Sequence, residues 1–299
     1  MVSKNKKSIT ISRSMPCLFV IFLCILYISC HTKPAVPGAF LENANSLPLE
    51  SSASVYIIAD VKEARSILDI LLAGELKDKQ ARQMLDKTDF LAAALFPPEN
   101  ERRFQLAVRG NYPGNAGIAF NVSKDWEKKQ SAAGQAYWHS GANGLSIALD
   151  SKQAFVTASV KNTPCDPITA APGVDIPEGF VDFSRGHPFS CWLEDPSSFI
   201  YRMLNNAGVP VRFPVQKLFL TLSPAEDLYE ASIRLQMENA TQAKGFAALL
   251  NIAGAFVSDT SELMAASLFL ANPAVQDGRN INIKTAPLSE AEVLRLFKF

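Results

Sequence analysis

The chain has 299 residues, 48% of them hydrophobic, with 29 basic and 29 acidic side chains. That length and composition can bury one large core or two smaller ones, and they exclude an intrinsically disordered chain. The first 29 residues hold Lys4, Lys6, Lys7 and Arg13 and no acid; beyond them 25 basic residues face 29 acidic ones, a net charge of −4, so nucleic acid finds no electrostatic footprint.

In chain order, the first element is an address. "MVSKNKKSITISRSMPCLFVIFLCILYISC" has a basic start, an apolar run from Met15 to Ile28, and the small Ser29 before Cys30. This is signal-peptide anatomy, and the run of about 14 residues falls short of the roughly 20 that a spanning helix needs. A bacterial lipoprotein signal fits, with residues 1–29 removed and Cys30 carrying the acyl chains. The usual lipobox has Leu three residues before the Cys; here Tyr27 stands there, a relaxed box that resembles those of spirochaete lipoproteins. Residues 30–54, rich in Pro, Ser and Asn, read as a tether.

Two halves follow that share a pattern: a first unit over 55–160 and a second over 180–299, joined by a Pro-rich connection at 161–179. Residues 55–74, "VYIIADVKEARSILDILLAG", overlay without gaps on 189–208, "FSCWLEDPSSFIYRMLNNAG": apolar strand, acidic break, amphipathic helix, closing Ala-Gly. "FLAAALFPPENERRFQLAVRG" and "LFLTLSPAEDLYEASIRLQME" then each read as strand, proline turn, strand, with Phe104 and Ala231 both seven residues past the turn prolines Pro97 and Pro224. A helix follows in each half, over "GNAGIAFNVSKDWEKK" and "ATQAKGFAALLNIAGAFV". The first half closes with a three-stranded meander, "QAYWHSGANGLSIALDSKQAFVTAS". The second closes with the ambiguous "ELMAASLFLA", a strand at "RNINIKTA", and a helix capped by Ser289 with Glu292 three residues on. The expected fold is therefore α+β: two related units of antiparallel hairpins with packed amphipathic helices, from an internal duplication.

Signatures of catalysis are absent: no G-x-S-x-G, phosphate loop, G-x-G-x-x-G, H-E-x-x-H or paired C-x-x-C. His139 reads as a strand-end histidine. His187 and Cys191, four apart with no second pair nearby, do not make a metal site. Glu194 and Asp195 form an acidic break ahead of a helix. Arg102 and Arg103 beside Glu99 and Glu101 read as a solvated turn. Trp126, Trp138 and Trp192 read as core aromatics rather than interfacial anchors. Cys165 and Cys191 remain after signal removal, in an oxidising compartment where a disulfide is allowed; a buried free thiol at Cys191, in the apolar "PFSCWLE", fits as well. No enzyme, metal or cofactor is expected.

"KGFAALLNIAGAFVSD", 244–259, is the stretch most suggestive of function, because it has no charge between Lys244 and Asp259. Only Thr241, Lys244, Ala248, Asn251 and Ala255 can line a water-facing strip. Burying each large apolar side chain is worth roughly 1.5–3 kcal/mol, so the rest must be covered by the protein's own sheet or by lipid. An apolar run of about 13 residues is too short to span a bilayer but long enough to lie in its interface. On that reading Phe246, Leu249, Leu250, Ile252, Phe256 and Val257 contact membrane.

The relaxed lipobox, the doubled α+β pattern, the series "GNYP", "DWEKK" and "AYWHSG" in 110–141, and the apolar helices resemble a treponemal outer-membrane-associated lipoprotein family. The resemblance implies a protein concealed on the periplasmic side of the outer membrane that inserts amphipathic helices into the inner leaflet and raises its permeability. Membrane lipids are then the partners. Two other functions compete: a carrier of a lipid or small hydrophobe in an internal apolar cavity, and an envelope scaffold lipoprotein.

Overall fold

The two period-two runs that overlay in the sequence become neighbouring strands. In the computed structural model, which describes residues 46–73, 82, 85–97, 99–112, 116–132, 134–150, 152–168, 173–206, 212–256 and 272–297, β2 (Val55–Asp60) pairs antiparallel with β10 (Phe189–Glu194). Their register sets Ile57 opposite Cys191 and Val55 opposite Leu193. Each half extends outward from this junction. On one side lie β3 (Thr88–Leu95), β4 (Arg102–Gly110), β8 (Gln153–Ser159), β7 (Leu145–Asp150), β6 (Ala136–Ser140) and β5 (Glu127–Gln130). On the other lie β11 (Val215–Ala225), β12 (Leu228–Met237), β14 (Asn280–Lys284) and β13 (Val275–Asp277). Among the described residues the result is one 12-stranded sheet, antiparallel throughout.

The registers of the halves run in step. Leu95 pairs with Phe104 in the first hairpin and Leu222 with Ala231 in the second. Leu106 pairs with Val156, and Ile233 with Ile283. Ile147 bears the same relation to Val156 in the first half's outer strands as residue 274 would to Ile283 in the second, where the register is Val275 to Asn282. Each of these positions recurs 127 residues later.

One face of the sheet is apolar from β14 to β6. Residues directly opposite one another across the strands share a face, so Ile283, Ile233, Leu220, Cys191, Ile57, Ala93, Leu106, Val156, Ile147 and Trp138 form one row. Among the described residues, α1 (Arg65–Leu71), α2 (Ala116–Val122), α4 (Ser197–Asn206), α5 (Ala240–Phe256) and α6 (Glu290–Leu296) cover this face, and Leu85, in the helical stretch just before β3, joins them. Ile67, Leu68, Ile200, Phe246 and Val293 enter the second-half core, and Phe120 enters the first-half core. α6 begins with the expected capping box of Ser289 and Glu292.

The opposite face has a different cover. A two-stranded ribbon of β1 (Ser46–Leu47) and β9 (Val174–Asp175) lies with α3 (Phe180–Ser184) over Tyr56, Trp192 and Phe219. Trp192 stacks on Tyr56 at 4.7 Å between ring centroids and meets Phe180 edge-on at 4.7 Å. Farther out on this face a polar row, Gln105, Thr157, Ser146 and His139, runs across four strands and is buried.

Several expectations are corrected. The tether does not reach 54: Leu47, Leu49 and Ala53 are buried, and the Tyr56 hydroxyl ties this segment down by accepting from the Ala53 N–H (3.2 Å) and donating to the Glu50 carbonyl (2.8 Å). "DWEKK" is not helical; α2 stops at Val122 and Glu127–Gln130 is the edge strand, where paired lysines discourage further strand addition. The turn arginines are not merely solvated: Arg102 pairs with Glu50, and Arg103 donates to the Ser159 carbonyl at 3.0 Å. Both described cysteines are free. Cys191 lies under the helices while Cys165 lies on the segment held to Ser146 of the polar row, on the other face, so no disulfide joins them. "ELMAASLFLA" falls outside the described residues.

Candidate membrane-contact surface

α5 resolves into a buried side and a water-facing side. Ala243, Phe246, Ala247 and Leu250 are buried against the second-half core, and Phe246 stacks on Phe213 with 3.9 Å between centroids. Thr241, Lys244, Ala248 and Asn251 are exposed, as the strip derived from the sequence requires. Asn251 is anchored in spite of its exposure: its amide donates to the Ala274 carbonyl (3.1 Å), and its Oδ1 accepts from the Ala274 N–H (2.7 Å). The helix is thereby stitched to the start of the edge strand β13.

Of the six positions expected to meet lipid, Phe246 and Leu250 are therefore core residues in this structure. The sheet claims the side that carries Phe246 and Leu250. Leu249 is partly buried, and Ile252 is 58% exposed. The side chain of Phe256, together with Val257 and Cys30, lies outside the described residues.

A second exposed apolar site was missed from the sequence. On α2, Ile118 is 55% exposed and Val122 is 77% exposed, one turn apart, while Phe120 between them is buried. The inward side is a compact aromatic cluster: Phe120 meets Trp126 edge-on at 4.8 Å and stacks on Trp138 at 5.4 Å. Gly117 makes this approach possible, since a Cβ there would stand 2.8 Å from Cη2 of Trp138. Trp138 also donates its indole N–H to Asn121 Oδ1 at 2.9 Å. The signal that could have revealed the site was the spacing of Ile118 and Val122, which puts them on one helix face opposite Phe120. Both α2 and α5 belong to the helical layer on the apolar face of the sheet. No helix among the described residues is long and apolar enough to cross a membrane.

The chemistry-bearing residues are engaged in structural work. His139 Nδ1 lies 3.0 Å from Ser146 Oγ and Nε2 lies 3.3 Å from the Asn162 carbonyl, an arrangement that suits the neutral ring with its proton on Nε2. Ser146 also accepts from the Cys165 N–H at 3.4 Å, and Gln105 bridges the Glu50 N–H (2.8 Å) and the Pro167 carbonyl (3.1 Å). The row thus moors the connection between the halves. His187 Nδ1 pairs with Ser223 Oγ at 2.8 Å. Burial lowers the pKa of both histidines from the ordinary value. Burial likewise pushes the Cys191 thiol up to about 12, which leaves it unreactive. Glu194 accepts from Trp192 Nε1 (3.1 Å) and from Lys217 Nζ (2.8 Å), so it braces the central strands. A shallow depression lined by Pro48, Phe90, Ala107, Phe155 and Arg109 offers about 20 Å³, room for a water and too little for an acyl chain.

A model of the family of the outer membrane-associated lipoprotein TP0453 matches residues 46–166. The match begins at β1, which agrees with the inclusion of residues 46–53 in the folded body. Among solved structures, crystal form III of TP0453 superposes with a TM-score of 0.58 at 14% identity, covering 85% of this chain and 98% of TP0453. Crystal form IV gives 0.58 at 14% identity, covering 88% and 100%. Crystal form I gives 0.58 at 16% identity, covering 85% and 97%. At such identities the likeness to TP0453 is one of fold: a large antiparallel sheet with a few helices. No curated protein matches the chain.

Proposed function

We propose that this chain is a non-catalytic lipoprotein, anchored through Cys30 on the periplasmic face of the outer membrane, whose helical layer binds and perturbs the bilayer. The observation that carries the reading is the pair Ile118 and Val122, exposed on the outer side of a helix whose inner side is core, with Ile252 as a similarly exposed residue on α5. Water-exposed β-branched side chains at one-turn spacing add nothing to folding, whereas in a lipid interface each gains from burial. The description of the matching family as outer membrane-associated lipoproteins supports the location. The recurrence of paired positions at 127 residues supports an origin of the two units in duplication, with one membrane-facing helix in each.

Vesicle flotation tests the reading. The mature chain with Cys30→Ser, which lacks only the acyl chains, is expected to float with lipid vesicles and to release an entrapped dye. Val122→Asp combined with Ile118→Asp is expected to abolish flotation while the circular dichroism spectrum is unchanged. Flotation that survives both substitutions and Ile252→Asp would overturn the proposal.

A further inference from the structure

We infer that the α2 surface recognises anionic lipid headgroups, an inference that rests on the membrane reading above and names the lipid class. Lys124, two residues past the end of α2, is exposed. Lys128 on the edge strand stands directly opposite Trp138, so its side chain leaves the same face of the sheet as the Phe120 and Trp138 stack beneath α2. Neither lysine has an acidic partner among the described residues. The nearest strand acid, Glu127, stands opposite His139 and therefore belongs to the other face, where Lys129 neutralises it at 2.7 Å. One exposed carboxylate, Asp125, lies between the two free lysines and leaves the patch net positive.

The arrangement is an apolar pair with cations beside it, on an element whose inner side is immobilised by aromatic packing. Two β-branched side chains fit the acyl boundary, and ammonium groups at their border fit the phosphate level above it, which is the division of labour in interfacial helices. A lysine near an anionic membrane surface strengthens binding by about five-fold. The whole chain beyond residue 29 carries net negative charge, so a local positive patch also orients the body, turning this end toward an anionic surface.

The experiment compares the Cys30→Ser mature chain on vesicles of pure phosphatidylcholine and on vesicles containing phosphatidylglycerol, with and without Lys124→Glu and Lys128→Glu. Both lysines are exposed, so the substitutions leave the fold intact, as an unchanged thermal midpoint will show. The expected result is tighter binding to the anionic vesicles, a preference reduced at least ten-fold by the double substitution and by raised salt, with binding to the neutral vesicles unchanged. Equal binding to both compositions, unaffected by the substitutions, would overturn the inference and leave the membrane reading standing. Absence of binding to either would overturn both.

Discussion

Ile57 and Cys191 stand directly opposite each other where the two halves of the sheet meet, and the gapless overlay of 55–74 on 189–208 places these same two residues on one another. The Cys191 side chain is fully buried among Leu220, Ile57 and the helical layer. Replacing its sulfur by a hydroxyl, Cys191→Ser, leaves a polar group without a partner and is expected to cost about 1–3 kcal/mol, measured by urea unfolding. In the native protein a thiol reagent is expected to label Cys165, which is partly exposed, and to spare Cys191 until the chain unfolds.

Phe246 and Val122 make opposite demands on their helices. Phe246→Ala removes a fully buried ring stacked on Phe213 and is expected to destabilise by about 3–5 kcal/mol. Val122→Asp, at a surface position, is expected to change stability by no more than about 0.5 kcal/mol while it weakens vesicle binding. Thermal unfolding and flotation of the two variants side by side check the separation.

Buried His139 and half-buried His187 predict an acid-sensitive fold. With folded pKa values lowered by burial from the ordinary 6.5, both rings are neutral in folded and unfolded chains above about that pH, and no stability depends on them there. As pH falls below it the unfolded chain takes up protons first, so stability declines until the folded rings titrate as well. Around His139, Glu127 favours the proton and Lys129 opposes it; around His187, Glu230 and Lys284 do the same. His139→Gln is expected to flatten the decline between pH 6.5 and pH 5, measured by chemical denaturation across that range.

The capping box at α6 supplies a fourth test. Ser289 and Glu292 satisfy each other's ends of the first turn, and the helix carries Val293 into the core and Phe297 edge-on to Phe189 at 5.5 Å. Ser289→Ala is expected to cost about 1 kcal/mol, read as a lowered urea midpoint with an unchanged slope.

The paired central hairpins were legible because two-residue alternation and turn prolines leave little freedom: Phe104 and Ala231, matched in the sequence through Pro97 and Pro224, hold corresponding places in the registers. The single sheet was not legible, since nothing local in "VYIIAD" or "FSCWLE" says that each will pair with the other. Residues 46–53 misled because Pro and Ser imitate a linker, while burial there depends on contacts with Tyr56 and β9. For the proposed membrane-contact surface, hydrophobicity singled out α5 but could not say which of its sides the sheet would occupy. α2 was passed over because its seven residues carry too few apolar positions to stand out, and its exposed pair gains meaning only once Phe120 is seen to point inward.

The junction of β2 and β10 bears on the order in which the protein is made. Residues 55–60 meet residues 189–194 only after the entire first half has emerged into the compartment where the chain folds. Until then the outer edge of β2 is bare, and an apolar edge without a partner is a template for pairing with a foreign strand. Because this pairing bridges more than 120 residues, closing it is among the slowest steps available to the chain. A nascent first half therefore needs shelter, and the moment of completion is the arrival of the second half's first strand, which ends the exposure by becoming the centre of the sheet.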